Sequence, residues 1–184
     1  MALTMQAIER LFAERGGEQY SGEPVTQLEH ALQCAALAQD EGGDDELIAA
    51  ALLHDLGHLL HDFGATPTLR GLDDRHQYRA LPMLRGVFAA SVLGAIAGHV
   101  DAKRYLCATR PGYHDSLSED SKRSLALQGG VFTPLQAERF IRGPHAQRAV
   151  QLRLWDDRAK AEGLATAPLG HFLQRARRSM LVTA

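Results

Sequence analysis

The apolar stretch from Leu47 to Leu60 constrains this chain more than any other. It contains Ala51-Leu52-Leu53-His54-Asp55-Leu56-Gly57-His58, so two imidazoles and a carboxylate sit inside a segment that must be buried. With 3.6 residues per turn, the spacing predicts one helical face carrying His54 and His58 about 6 Å apart along the axis, with Asp55 on its edge. A lone core histidine needs only a hydrogen bond. Burying His, Asp and His within one turn is unfavourable unless a shared partner satisfies them. Imidazole nitrogens and carboxylate oxygens converging on one spot suit a metal cation.

The rest of the chain reads as helices around that segment. Thr4 to Arg15 carries Met5, Ile8, Leu11 and Phe12 on one stripe and ends at Gly16-Gly17. Thr26-Gln27-Leu28-Glu29 is a capping box opening a helix to about Gln39, with His30 in its first turns. Gly42-Gly43 breaks that helix, and Asp44 or Asp45 caps the central one. A loop from His61 to about Asp74 precedes a helical pattern from His76 to Gly86. Further helices are predicted over 89–108, 118–127, 133–142, from Pro144 to about Ala161, and from Pro168 to about Met180, with loop at 109–117. No segment alternates as a strand would. The expectation is an all-α bundle in one domain, 1–184, with a metal-binding core at about 20–160.

With 184 residues, 45% of them hydrophobic, one sizeable core can form. The net charge of −2, without any Lys/Arg-rich run, gives no reason to expect a nucleic-acid partner. Cys34 and Cys107 lack paired spacing and read as buried thiols of a reducing cytoplasm. The N-terminus does not read as a signal peptide, and His54, Asp55 and His58 interrupt the most apolar stretch. A soluble cytoplasmic protein without membrane attachment is expected, and its oligomeric state is left open.

Candidate ligands must lie on helices and face inward. His30, flanked by Leu28, Ala31 and Leu32, and Asp156, after Leu152, Leu154 and Trp155, join His54 and Asp55 as a set for one divalent cation. If His58, His76 and His99 also point inward, Asp55 can give one oxygen to each of two ions, as in paired metal sites about 3.5–4 Å apart. His61, His114, His145 and His171 read as solvated. Two ions outweigh Asp55 and Asp156 in charge, so such a centre favours an anionic oxygen ligand. Lys103, one turn after His99, and Arg153 are placed to meet it, with Ser121 and Ser124 as weaker donors. In the loop Tyr20-Ser21-Gly22-Glu23, Gly22 permits folding over a pocket. There Tyr20 can shield the ions and Glu23 can accept from a cationic substrate group.

The order His … His-Asp … Asp resembles the HD-domain superfamily. The wider set of Tyr20-Ser21-Gly22-Glu23, Gln27-Leu28-Glu29-His30, Leu52-Leu53-His54-Asp55-Leu56-Gly57-His58, Gly98-His99-Val100-Asp101-Ala102-Lys103-Arg104-Tyr105-Leu106, Gln128-Gly129-Gly130 and Trp155-Asp156 resembles its PhnZ-type mixed-valent di-iron oxygenases. That resemblance implies two iron ions, Fe(II)/Fe(III), with O2 as co-substrate. One ion would be held by His30, His54, Asp55 and Asp156, the other by Asp55, His58, His76 and His99. The implied reaction cleaves the C–P bond of a 1-hydroxy-2-aminoethylphosphonate, or its N-trimethylated analogue, to phosphate and glycine or glycine betaine. Asp55, His58 and Tyr20 would serve catalysis. Lys103, Arg153 and Ser121 would hold the phosphonate, and Glu23 the ammonium. A quaternary ammonium would instead need aromatic faces, for which Tyr20, Phe63, Tyr78 and Trp155 are available. Two other readings stay open: a metal-dependent phosphohydrolase acting on a nucleotide or other phosphate ester, and a non-catalytic ligand-binding domain. Pro111-Gly112-Tyr113-His114 only superficially matches the Gly-Tyr-Pro signature of dinuclear phosphohydrolases.

Overall fold

The computed structural model describes residues 3–20, 22–64 and 66–181. Among them the fold is all-α, as the periodicity predicts, and no strand forms. Ser21, part of the glycine loop singled out above, lies outside the described residues.

The helices start where their capping residues place them. Helix α1 (Met5–Arg15) begins at Thr4, whose hydroxyl accepts from Ala7 N–H, and buries Met5, Ile8 and Phe12. Helix α2 (Gln27–Asp40) begins with both halves of the Thr26/Glu29 capping box formed. Helix α3 (Asp45–Leu53) is capped by Asp44 and buries every residue from Ile48 to Leu53. Apolar on all sides, it can only be central. Helices α2, α6 (Ala90–Thr109), α10 (Ala146–Asp156) and α11 (Leu169–Arg178) pack around it. The main core runs from Ile8 and Phe12 through α3 to Leu152, Trp155 and Phe172. A smaller cluster of Leu106, Tyr113, Leu117 and Leu125 fastens α7 (Tyr113–Ser116) and α8 (Glu119–Leu127) to α6. Helix α9 (Pro134–Ile141) lies against α6 and α10. No helix among the described residues is long and apolar enough to cross a membrane.

Three boundaries differ from the sequence expectation. The central helix does not run through His54-Asp55-Leu56-Gly57-His58 as one α-helical face. It ends at Leu53, Asp55 adopts φ −101° and ψ 10°, and Leu56–Leu60 is a 3-10 turn. The reason is a close backbone approach: a Cβ on Gly57 would lie 2.0 Å from the His76 carbonyl oxygen. The helix expected from His76 to Gly86 is two short pieces, α4 (His76–Arg79) and α5 (Leu81–Leu84), with Pro82 at the start of the second. The helix expected from Pro144 to about Ala161 is α10, which ends at Asp156. The loops at 61–74 and 109–117 also hold single turns, Pro67–Arg70 and α7.

Candidate metal centre

The seven predicted ligands meet beside the C-terminal end of α3. His30 comes from α2, His54 and Asp55 from the end of α3, His58 from the 3-10 turn, His76 from α4, His99 from α6 and Asp156 from α10. All but His58, which is partly buried, are buried. Asp55 stands between the imidazoles. Its Oδ2 lies 3.3 Å from His54 Nε2 and 3.5 Å from His30 Nε2, while Oδ1 lies 3.4 Å from His76 Nε2 and 3.5 Å from His99 Nε2. His58 Nε2 is more distant, 3.9 Å from Oδ2. Asp156 Oδ1 is 3.6 Å from His30 Nε2.

The far side of each ring shows what the near side is for. Nδ1 of His30, His54 and His99 meets the carbonyl oxygens of Ala159, Ala51 and Ile96 at 2.8, 2.9 and 2.7 Å. Nδ1 of His58 and His76 meets the Asp74 carboxylate at 2.6 and 2.8 Å. Those oxygens only accept, so in each neutral ring the proton sits on Nδ1 and the Nε2 lone pair faces inward. Lone pairs therefore confront one another at 3.1 Å (His76 and His99), while His30 and His54, 3.3 Å apart, relieve theirs only by taking up a proton. Asp55 Oδ1 and Asp156 Oδ1 are buried without a hydrogen-bond partner. Inward-aimed lone pairs and orphaned carboxylate oxygens are repulsive as they stand. Cations bonded to them remove the repulsion, so the donor set fits metal.

The electrostatics agree. Burial lowers the His30 pKa to about 4 and takes His99 well below its usual value, which keeps both rings neutral. Burial opposes a charge on His54 too, but Asp55, by charge and hydrogen bond, raises it to about 9. Burial would raise Asp55, yet His54 and His58 hold it well below the carboxylate range. Without metal, a proton on His54 balances Asp55, and metal binding displaces that proton. Cys34 Sγ lies 3.7 Å from His30 Nε2, but burial, with Asp156 and Asp55 nearby, keeps it a thiol.

A cavity of about 60 Å³ opens onto the centre, lined by Tyr20, Glu23, Lys103's neighbours Ser121 and Ser124, Gln128, Arg153 and Lys160 among others. Tyr20 stacks on His30 with centroids 3.9 Å apart and so covers the first ligand set. Lys103 is buried and donates to Ser124 Oγ at 2.7 Å. Burial, then the charge of Arg153, lowers its pKa from 10.5 to about 7. Two substrate residues are engaged otherwise than the sequence suggests. Arg153 holds Asp156 Oδ2 at 2.8 Å, Asp157 and the Tyr113 hydroxyl, so it also orients a ligand. Glu23 Oε1 is already paired with Lys160 Nζ at 2.8 Å.

The aromatic residues do not converge into a cage. Phe63 packs at a tilt against His61 under Arg79, Tyr78 is exposed beside Arg75, and Trp155 donates to Glu41. His61, expected to be solvated, bonds Asp74 at 3.1 Å instead. The expectation failed because its partner lies across a loop, at a separation periodicity cannot read. His145 also departs from expectation: it is partly buried, with its ring packed so close that a Cβ on Gly94 would meet it at 2.3 Å. His114 and His171 are exposed. Sequence reasoning missed Asp74, Tyr113, Gln128 and Lys160. Lys160, four residues beyond Asp156, and Gln128 and Tyr113, each in a quoted stretch, left a local signal, whereas Asp74 left none.

Comparison with known proteins agrees with this geometry. The HD domain family matches residues 28–128. The chain is 38% identical over 162 residues to a [1-hydroxy-2-(trimethylamino)ethyl]phosphonate dioxygenase (glycine-betaine-forming) of Leisingera caerulea, covering 88% of this chain and 83% of that protein. It is 41% identical over 157 residues to a hydroxymethylphosphonate dioxygenase of Gimesia maris, covering 85% and 78%. With its His … His-Asp … Asp residues gathered at one buried point and relatives matched over most of its length, the chain belongs to the HD-domain family.

Proposed function

We propose that this protein uses O2 to cleave the C–P bond of a small 1-hydroxyalkylphosphonate, R–CH(OH)–PO3, releasing phosphate and the carboxylic acid R–COOH. Both atoms of O2 enter the products, one to each, so no further reductant is needed. The observation that carries the reading is the Asp55 carboxylate set between two groups of inward-aimed imidazoles, beside a buried cationic pocket. The relatives' names supply the reaction class.

His30, His54, Asp55 and Asp156 would hold one ion and Asp55, His58, His76 and His99 the other, within a core spanning about residues 20–160. N/O donors without thiolate suit iron, the metal the resemblance implies, in the Fe(II)/Fe(III) state. Bound there, such a pair supplies the redox chemistry that O2 requires. The chain's own residues bind and orient the substrate. Lys103, with Ser121, Ser124 and Gln128, receives the phosphonate, and Arg153 adds positive charge while fixing Asp156. Tyr20 shields the centre from water. The Glu23–Lys160 pair borders the space left for R, where Glu23 can turn to an ammonium. A single cavity-lining aromatic favours hydroxymethylphosphonate or the 2-amino substrate over the trimethylated one.

The test is an oxygen-electrode trace with these three phosphonates on iron-loaded protein. The expected result is one phosphate released per O2 consumed. Phosphate released without O2 uptake would instead make the protein a hydrolase.

The Lys103 pKa gives a second prediction. A lysine titrating near 7 loses charge as pH rises, so between pH 6 and pH 8 the cationic fraction falls by roughly tenfold. Phosphonate KM is expected to rise over that interval in the wild type relative to Lys103→Arg. The arginine stays charged, and the comparison cancels the ligand's own titration. Parallel KM profiles would show that Lys103 does not meet the phosphonate.

A further inference from the structure

The five imidazoles are fixed in two ways. His54 and His99 donate Nδ1–H to the carbonyl three residues earlier on their own helices, and His30 to the Ala159 carbonyl. The first two oxygens come with regular structure, and the third lies just past the end of α10. His58, on a 3-10 turn, and His76, first residue of a four-residue helix, have no carbonyl so placed. Both turn to Asp74. Its Oδ2 takes His58 Nδ1 at 2.6 Å and Oδ1 takes His76 Nδ1 at 2.8 Å. Oδ1 also accepts the His76 backbone N–H at 3.2 Å, and Oδ2 meets His61 Nε2 at 3.1 Å.

The backbone is bent to make this reach possible. Arg75, between Asp74 and His76, has φ +53° and is the one non-glycine residue with positive φ among the described residues. A left-handed bulky residue is strained by roughly 1–2 kcal/mol and persists only where its surroundings impose it. Here the turn folds the Asp74 side chain back onto the ring two residues later. Asp74 is itself buried, and the Arg79 side chain holds its carbonyl. The two rings stack with centroids 4.0 Å apart, so one carboxylate sets both.

We propose that Asp74 is a positioning residue for the second half of the centre, holding His58 and His76 in the tautomer that aims Nε2 at Asp55 and so setting the affinity for the second ion. The inference rests on the paired-metal reading above. A carboxylate behind a ligating imidazole typically strengthens metal binding by about 10–100-fold. An asparagine of the same shape can accept from one ring only and must present N–H to the other.

Zinc, redox-inactive and suited to N/O donors, is the probe. Wild type, Asp74→Asn and the exposed neighbour Asp73→Asn are dialysed against graded free zinc, and bound metal is counted per chain. Wild type and Asp73→Asn should take two ions. Asp74→Asn should keep the first affinity and lose about 10–100-fold on the second. Two-bond 15N–1H spectra of the zinc-loaded proteins read the tautomers. His58 and His76 should carry Nδ1–H in wild type, and one of them should lose it in Asp74→Asn, while His30, His54 and His99 do not change. Equal second-site affinity and unchanged tautomers in Asp74→Asn would overturn the role of Asp74 and leave the paired centre standing. Fewer than two ions in wild type would overturn the paired centre, and this inference with it.

Discussion

Asp55→Ala should leave a folded protein that holds neither ion and has no oxygenase activity. Each oxygen of Asp55 faces a different pair of imidazoles, Oδ2 toward His54 and His30 and Oδ1 toward His76 and His99, at 3.3–3.5 Å. Losing another ligand leaves each ion several donors, but losing this carboxylate removes one donor from both sites and the negative charge between them. What remains is a set of nitrogen lone pairs facing one another, with Asp156 the one ligand carboxylate left and neutralised by Arg153. Asp55→Glu restores the charge but pushes the carboxylate one methylene further into a space already filled. It should recover little binding. Metal content after gel filtration, with circular dichroism as the control for folding, checks the outcome. Full metal content in Asp55→Ala would show that Asp55 bridges nothing.

Gly57→Ala should damage both stability and the second site. The added methyl would lie 2.0 Å from the His76 carbonyl oxygen and 2.7 Å from its carbon. These are backbone atoms, so no side-chain tip can swing aside. Overpacking of this kind destabilises by about 1–3 kcal/mol or more. For a domain of this size that is roughly 2–12 °C in Tm. The strain relaxes most directly by moving α4 outward, which draws His76 away from Asp55. The expected result is a lower Tm together with weakened second-ion binding. Gly170→Ala is the contrast. Nothing lies within 4 Å of its Cβ position inside α11, so replacing a helical glycine there should raise stability by up to about 1 kcal/mol. A Gly57→Ala protein that melts like wild type and binds metal normally would show that the close approach is not maintained.

Much of this protein is readable one residue at a time. The Thr26/Glu29 capping box, the Asp44 cap and the apolar run of α3 each act within a few residues, so their spacing predicts the helices that form. The ligand types are also local information, because a buried segment cannot carry His54, Asp55 and His58 without a partner for them. The misreadings share a cause. Periodicity predicts a single helical face for His54 and His58, but the helix stops at Leu53 because α4 crosses at Gly57. His61 is not a solvated side chain because Asp74 reaches it across a loop.

Local residue patterns specify an all-α fold, a buried set of imidazole and carboxylate donors, and the HD-type order in which they occur. They do so because caps, apolar periodicity and the cost of burying polar groups are local properties. Tertiary packing alone sets which Asp55 oxygen faces which ring, that Asp74 holds His58 and His76, and that Lys160 meets Glu23. Each of these is a contact between distant segments. Its geometry is set by how closely two backbones approach, and no spacing within one helix encodes that distance.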